Sequence, residues 1–197
     1  MRFVLASRNR KKIDELAAIL ERYGIEVAPL PDSAPEPEEN GKSFEENARI
    51  KAESAARHTG LPAIADDSGL CVDALGGAPG IYSARYCAGT DADRNALLLQ
   101  NMADKDARAC RFVCAVACVL PDGECFTVRG ECAGELLREC QGEGGFGYDP
   151  LFFVPEYGCT FGELPQEVKN TISHRARALR ALGEALESRL GTTKTGE

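Results

Sequence analysis

Histidine is scarce in this 197-residue chain: only His58 and His174 occur, so a histidine-rich zinc site and a Ser-His-Asp triad are both poorly supplied. A G-x-S-x-G nucleophile elbow is absent too. No apolar run approaches the roughly 18 residues that a membrane span requires, which predicts a soluble protein with no membrane partner. Positive charge is short as well. The 23 Lys and Arg stand against 31 Asp and Glu for a net charge of -8, which argues against a nucleic-acid polymer, since those are held by a basic face. A small anion gripped by a few local cations stays open. No secretory leader precedes "MRFVLASRN", and the nine cysteines are odd in number and scattered, so a reducing cytoplasm is expected rather than a disulfide framework. Cys110, Cys114 and Cys118 lack the Cys-x2-Cys knuckle of zinc sites and read as small buried hydrophobes.

Two nucleotide motifs occur only in part. "GEGGFG", Gly142 to Gly147, matches G-x-G-x-x-G but runs into Tyr148-Asp149-Pro150 and a strand, where a dinucleotide fingerprint must open a helix. Gly41-Lys42-Ser43 ends like a P-loop, yet Glu36 stands where its first glycine belongs.

With 44% hydrophobic residues the chain suits one domain over residues 1–190, with room for two lobes on a shared core, and "GTTKTGE" (191–197) as a flexible tail. A buried strand is predicted over 2–6. A helix capped by Asn9 then carries the stripe Ile13, Leu16, Ala17, Leu20 and Tyr23 to Gly24. Residues 29–41, rich in proline and acid, read as a loop, and Ser43 with Glu46 as a capping box for a helix over 44–59. "PAIADD" reads as a short strand, Ser68-Gly69 as a turn and "LCVDAL" as a second strand; "GGAPGIYSARY" is a loop and Thr90 opens a helix over 91–103. "CRFVCAVACVL", "PDGE" and "CFTVRGECAGEL" form a long hairpin, "LFFV" a further strand, and Ser173 caps a last helix with the stripe Leu179, Leu182, Leu186 and Leu190. The order β-α-α-β-β-α-β-β-β-α predicts an α/β protein with a mixed sheet.

Three features point to a polyphosphate. Arg10, Lys11 and Lys12 crowd the start of the first helix, where the dipole disfavours cations and free N–H groups favour an anion; a basic turn paired with Asp14 or Glu15 is the plainer alternative. His174 and Arg175 repeat the anomaly at the last helix, with Lys169 just upstream, although a lone surface histidine is also common. Asp66 and Asp67 sit at a strand end and point to opposite faces, so one can be structural while the other faces a cleft. An oxygen-ligand site with few carboxylates suits Mg²⁺ bridging substrate phosphates. "GGFGYDP" adds aromatic faces, Phe146 and Tyr148, able to stack on a base or merely to cap the core.

Taken together, "SRNRKK", "SFEENARIKA", "LPAIADDSGLCVDALGGAPGIYSARY", "GGFGYDPLFFVP" and "ISHRARAL" resemble, in order and over nearly the whole chain, the inosine triphosphate pyrophosphatases. That family hydrolyses the non-standard purine triphosphates dITP, ITP and XTP to the monophosphate and pyrophosphate with Mg²⁺. The resemblance implies an elongated mixed β-sheet flanked by helices, two lobes with a central active-site cleft, and a homodimer. Its phosphate-binding segment falls on Ser7, Arg8, Asn9, Arg10, Lys11 and Lys12, with Arg8 in place of the usual glycine. Its general base and metal-binding aspartate falls on Asp67, a further metal-binding glutamate on Glu39, and a substrate-binding serine on Ser68. The nucleoside contacts fall on Phe146, Gly147, Tyr148, Asp149, Lys169, His174 and Arg175. Two competing classes stand beside it: a Maf-type pyrophosphatase acting on pyrimidine or modified nucleotides, and a sensor that binds triphosphate without cleaving it.

Overall fold

The computed structural model describes residues 2–190, so the tail expected over 191–197 lies outside the described residues. One seven-stranded sheet runs through it in the order β2-β1-β3-β4-β5-β6-β7. The strands are β1 (Arg2–Leu5), β2 (Glu26–Pro29), β3 (Ala63–Val72), β4 (Ala109–Val119), β5 (Cys125–Leu136), β6 (Phe152–Val154) and β7 (Cys159–Thr160). The helices are α1 (Arg10–Glu21), α2 (Phe44–Thr59), α3 (Asp91–Asn101), α4 (Gln166–Ile172) and α5 (His174–Leu190). β2 and β3 pair with β1 in parallel and the remaining ladders are antiparallel, so the sheet is mixed, as expected.

β3 departs from the expected strand-turn-strand. It is one ten-residue strand, paired without interruption to β4 from Ala63↔Val119 to Val72↔Cys110. Ser68-Gly69 looks like a turn in isolation, but the neighbouring strand holds it extended. A turn would also leave the backbone groups of buried residues unpaired. Asp66 and Asp67 therefore lie mid-strand. β2, β7 and α4 are elements the sequence pattern did not reveal, being four, two and seven residues long. Ser43 accepts the Glu46 N–H, but the Glu46 carboxylate takes the N–H of Lys42 rather than that of Ser43, so the box is half formed. The complete box is at Thr90 and Asp93, and α3 closes at Asn101, two residues earlier than expected. Asn9 and Ser173 act as predicted: their side chains accept from the N–H groups of Lys12 and Ala176.

Alternation along the long strands sorts the core onto two faces. Phe3, Leu5, Ile64, Cys114, Val116 and Cys118 pack under α1 and α5, while Val4, Ala63, Ala65, Val113, Ala115 and Ala117 pack under α2. Further along the α5 face the same strands feed a separate cluster: Leu70, Val72, Cys110, Phe112, Cys132 and Leu136 pack with Leu98, Met102, Tyr148, Phe152 and Phe161. Two lobes thus share β3, β4 and β5, and Asp66 and Ser68 fall on the seam. Gly130 of β5 sets how α5 begins. A Cβ there would stand 2.3 Å from both the His174 carbonyl oxygen and the Ala178 nitrogen, so glycine lets the first turn of α5 press onto the sheet.

All nine cysteines are free thiols. Cys110, Cys114 and Cys118 are buried, and burial pushes each thiol up to about 12, in keeping with small hydrophobes rather than ligands.

Candidate functional site

β1 covers the edge of β3 only as far as Leu5↔Ile64. Beyond that the chain leaves through Ser7–Asn9 into α1, and a cleft opens between the lobes, ≈ 450 Å³ in volume. The expectation that the two aspartates sit at the end of their own strand is overturned, because β3 continues to Val72; the strand that stops beside them is the neighbouring β1.

Asp66 shares the face of Ile64 and meets α1 and α5. Its Oδ2 accepts from Lys12 Nζ at 3.1 Å, from Ser68 Oγ at 3.2 Å and from Arg175 Nη2 at 3.3 Å. Burial opposes its ionisation, but Lys12 and Arg175 outweigh that and hold the carboxyl far below the usual range. Asp67 shares the face of Ala65 and meets α2, accepting from Lys51 Nζ at 3.0 Å and from Asn47 Nδ2 at 3.3 Å. Here burial prevails over Lys51, and the carboxyl is raised. Both aspartates line the cleft.

Asp66 also belongs to a buried chain of alternating charge. Asp149 pairs with Lys169 (2.7 Å), Lys169 with Glu15 (2.9 Å), Glu15 with Arg175, Arg175 with Asp66 (3.3 Å) and Asp66 with Lys12 (3.1 Å). These charges come from α1, β3, α4, α5 and the turn after residue 145, and they tie both lobes together. Burial opposes the ionised form of Glu15, but Arg175 and Lys169 prevail and hold it low. For Asp149 the burial prevails over Lys169 and its carboxyl is raised. On the α2 side Lys51 bridges Asp67 and Glu39 (2.8 Å to the latter), and Arg85 holds the other Glu39 oxygen at 3.1 Å.

The expected site residues gather with two exceptions. Ser7, Arg8, Asn9, Lys12, Glu39, Asp67, Ser68, Phe146 to Asp149, Lys169, His174 and Arg175 all line the cleft. Arg10 is exposed and off the lining. Lys11 is also off it, reaching across instead to donate to the Gly145 carbonyl at 3.1 Å, with its ammonium 6.0 Å from the Phe146 ring centre. Neither pairs with Asp14 or Glu15 as the plainer reading required, because α1 turns Glu15 inward toward Lys169 and Arg175. Arg8 donates to the carbonyls of Ala34 (2.6 Å) and Asp32 (3.4 Å), tying the phosphate-loop candidate to the acidic segment that carries Glu39. His174 is not on the surface: it is 4% exposed, stacks on Phe112 at 4.7 Å, and burial lowers it well below its ordinary value, leaving a neutral imidazole. Tyr148 is buried and donates its hydroxyl to the Ser83 carbonyl, which suits a wall of the pocket rather than a free stacking face. Phe146 keeps its ring within 5.1 Å of Lys169 Nζ and 5.8 Å of the Arg175 guanidinium.

Among the described residues, three buried polar atoms on this lining have no partner: Asp66 Oδ1, His174 Nδ1 and Arg175 Nε. Unmet hydrogen-bond capacity costs about 1–3 kcal/mol per group, so its concentration here marks where a polar ligand would be taken.

Sequence reasoning missed Glu15, Asn47, Lys51, Arg85, Asp91 and Arg94. For two of these a signal existed. Asn47 and Lys51 are i,i+4 on the α2 stripe of Phe44, Ala48, Ala52 and Ala55, where a polar side chain is costly without a partner.

A family model described as the Ham1 family matches residues 3–185. A protein of Pseudomonas aeruginosa named dITP/XTP pyrophosphatase is 52% identical, with 93% of this chain and 95% of that one covered. One of Geobacter sulfurreducens with the same name is 50% identical over 94% and 96%. Among solved structures, a HAM1 protein from Coxiella burnetii superimposes with a TM-score of 0.87 at 42% identity, covering 95% of this chain and 99% of that one. The Staphylococcus aureus Ham1 protein gives 0.86 at 39% identity, again over 95% and 99%.

Proposed function

The chain belongs to the Ham1 family, and from that premise we propose that its cleft hydrolyses dITP, ITP and XTP to the nucleoside monophosphate and pyrophosphate. The observation that carries the reading is the set of unpartnered polar atoms, Asp66 Oδ1, His174 Nδ1 and Arg175 Nε, gathered on one cleft lining that also holds Lys12 and Lys169.

Water attacks the α-phosphorus, the bond to the β-phosphate oxygen breaks, and pyrophosphate departs. Asp67 accepts the proton of that water. Burial raises its carboxyl toward the working pH, which improves a general base. Lys12 and Lys169 stabilise the charge that moves onto the leaving group, in a site where positioning and electrostatics supply most of the acceleration. Ser7, Asn9 and Ser68 offer hydroxyl and amide groups to phosphate oxygens. Arg8 faces the same loop, and Arg10 and Lys11 add long-range attraction from outside the lining.

The lining holds seven Lys or Arg against six Asp or Glu. That near-balance leaves the charge of a triphosphate uncompensated, and the acids offer only oxygen donors, which fits Mg²⁺. Among the described residues no three His, Cys, Asp or Glu side chains converge as a complete cage, and Mg²⁺ commonly takes one or two carboxylates plus waters and phosphates. Asp67 and Glu39 would hold it, since both already coordinate one cation, Lys51 Nζ. The ion would supply charge neutralisation along the polyphosphate.

For the base, Phe146 supplies a stacking face worth on the order of 1–3 kcal/mol, with Gly147, Tyr148 and Asp149 completing that wall. Arg175 Nε donates to the 6-oxo group of hypoxanthine or xanthine, and His174 lies beside it. Adenine carries a donor at that position and leaves both groups unpaired, a mismatch that polar sites reject by up to roughly 10⁴-fold. No helix among the described residues is long and apolar enough to cross a membrane. The free thiols suit a reducing compartment, which we take to be the cytoplasm, with the protein acting as a homodimer.

Pyrophosphate release from dITP, XTP, dTTP and ATP, each with and without Mg²⁺, tests the reading. Release is expected from dITP and XTP only, and only with the metal. Comparable turnover of ATP, a preference for dTTP, or binding without release would each overturn it.

A further inference from the structure

α3 holds one residue of the far wall by both of its backbone polar atoms. The Gly147 N–H donates to Asp91 Oδ2 at 2.8 Å, and Asn95 Nδ2 donates to the Gly147 carbonyl at 3.0 Å. Asp91 is itself fixed, because Arg94 donates to its other oxygen at 2.7 Å while also holding the Gly89 carbonyl at 3.0 Å. Gly147 adopts φ +62° with open space where a Cβ would stand, so glycine is required there by conformation and not by crowding. A glycine at such a position is the freest point of a loop, and it joins Phe146 to Tyr148. Asp91 and Arg94 line the cleft, and Asn95 is buried behind them.

We propose that Asp91 and Asn95 are positioning residues for the nucleobase: by clamping both polar atoms of Gly147 they pre-set the loop that presents the Phe146 ring. The proposal rests on the reading of Phe146 to Asp149 as the base-side wall. Ordering a stacking surface before the ligand arrives lowers the entropy lost on binding. The clamp bonds Gly147 of the base-side wall and neither Asp67 nor Lys12, so its loss should weaken substrate binding and spare the chemical step.

Steady-state kinetics of the full chain with dITP, for Asp91→Ala, Asp91→Asn, Asn95→Ala and Phe146→Ala, provide the test. Asp91→Ala should raise KM about tenfold, the loss of one hydrogen bond, with kcat within about twofold. Asp91→Asn keeps an acceptor for the Gly147 N–H and should return KM to within about threefold of the parent. Asn95→Ala should behave like Asp91→Ala; if it does not fold, the partly exposed Asp91 pair decides alone. A lowered Tm with unchanged KM in Asp91→Ala, while Phe146→Ala raises KM, overturns the clamp and leaves the base site standing. If Phe146→Ala also leaves KM unchanged, the base-side reading is what fails, and the clamp falls with it.

Discussion

Lys12 Nζ stands 3.1 Å from Asp66 Oδ2, a salt bridge in which the lysine side chain is 18% exposed and the aspartate 1%. The cation that offends the α1 dipole is thus neutralised by the protein itself, across the seam between the lobes. The two partners are unequal, because Asp66 also holds Arg175. Asp66→Asn leaves Lys12 without its anion and Arg175 with Glu15 alone, and should cost about 3–5 kcal/mol, whereas Lys12→Met leaves Asp66 with Arg175 and should cost less. Urea titration of both single variants and the double is the check. The double should lose less than the sum, and additive losses would mean the pair is not coupled.

Asp67→Asn separates stability from turnover. The raised carboxyl of Asp67 shows that its charged form is held at a cost, so neutralising it should leave Tm nearly unchanged. Turnover of dITP should fall by at least about 10²-fold if this carboxylate takes the proton of the attacking water. A near-normal rate in a folded variant contradicts that role.

Glu15 lies off the cleft lining, yet it supports Lys169 and Arg175, which are both on it. Glu15→Gln would leave two buried cations short of an anion, at about 3–5 kcal/mol. For a chain of this size that is a fall in Tm of roughly 10 °C, measurable by thermal unfolding. An unchanged Tm would show that the buried chain of charge does not hold the lobes.

His174 makes the fold sensitive to acid. Its folded form is held neutral well below the ordinary value, whereas the unfolded chain binds a proton near 6.5. The unfolded state therefore carries more protons below that pH, and stability rises with pH through this window. It is fully present above 6.5 and lost at about 1.4 kcal/mol per pH unit as pH falls toward the folded value. Chemical denaturation between pH 7 and 5 should show this slope in the parent and lack it in His174→Phe, whose ring can keep the stack on Phe112. Equal slopes would refute the assignment.

Local signals decided much of this protein. The stripes of α1, α2 and α5, the caps at Asn9, Ser43, Thr90 and Ser173, and the β4-β5 hairpin are properties of neighbouring residues, so they were legible without a partner. The family pattern brought the cleft residues with it. What the chain alone could not show was set by contacts far apart in sequence. Whether Ser68-Gly69 turns or stays extended depends on β4, which lies more than forty residues away. Glu15 becomes an anchor because α4 and α5 deliver Lys169 and Arg175 to it across 154 and 160 residues. The opposite pKa shifts of Asp66 and Asp67 follow from the same cause: alternation along β3 assigns them to different faces, but only packing decides which cations wait there. Sequence sets the direction of each side chain, and the dielectric and the partners it meets belong to the tertiary structure.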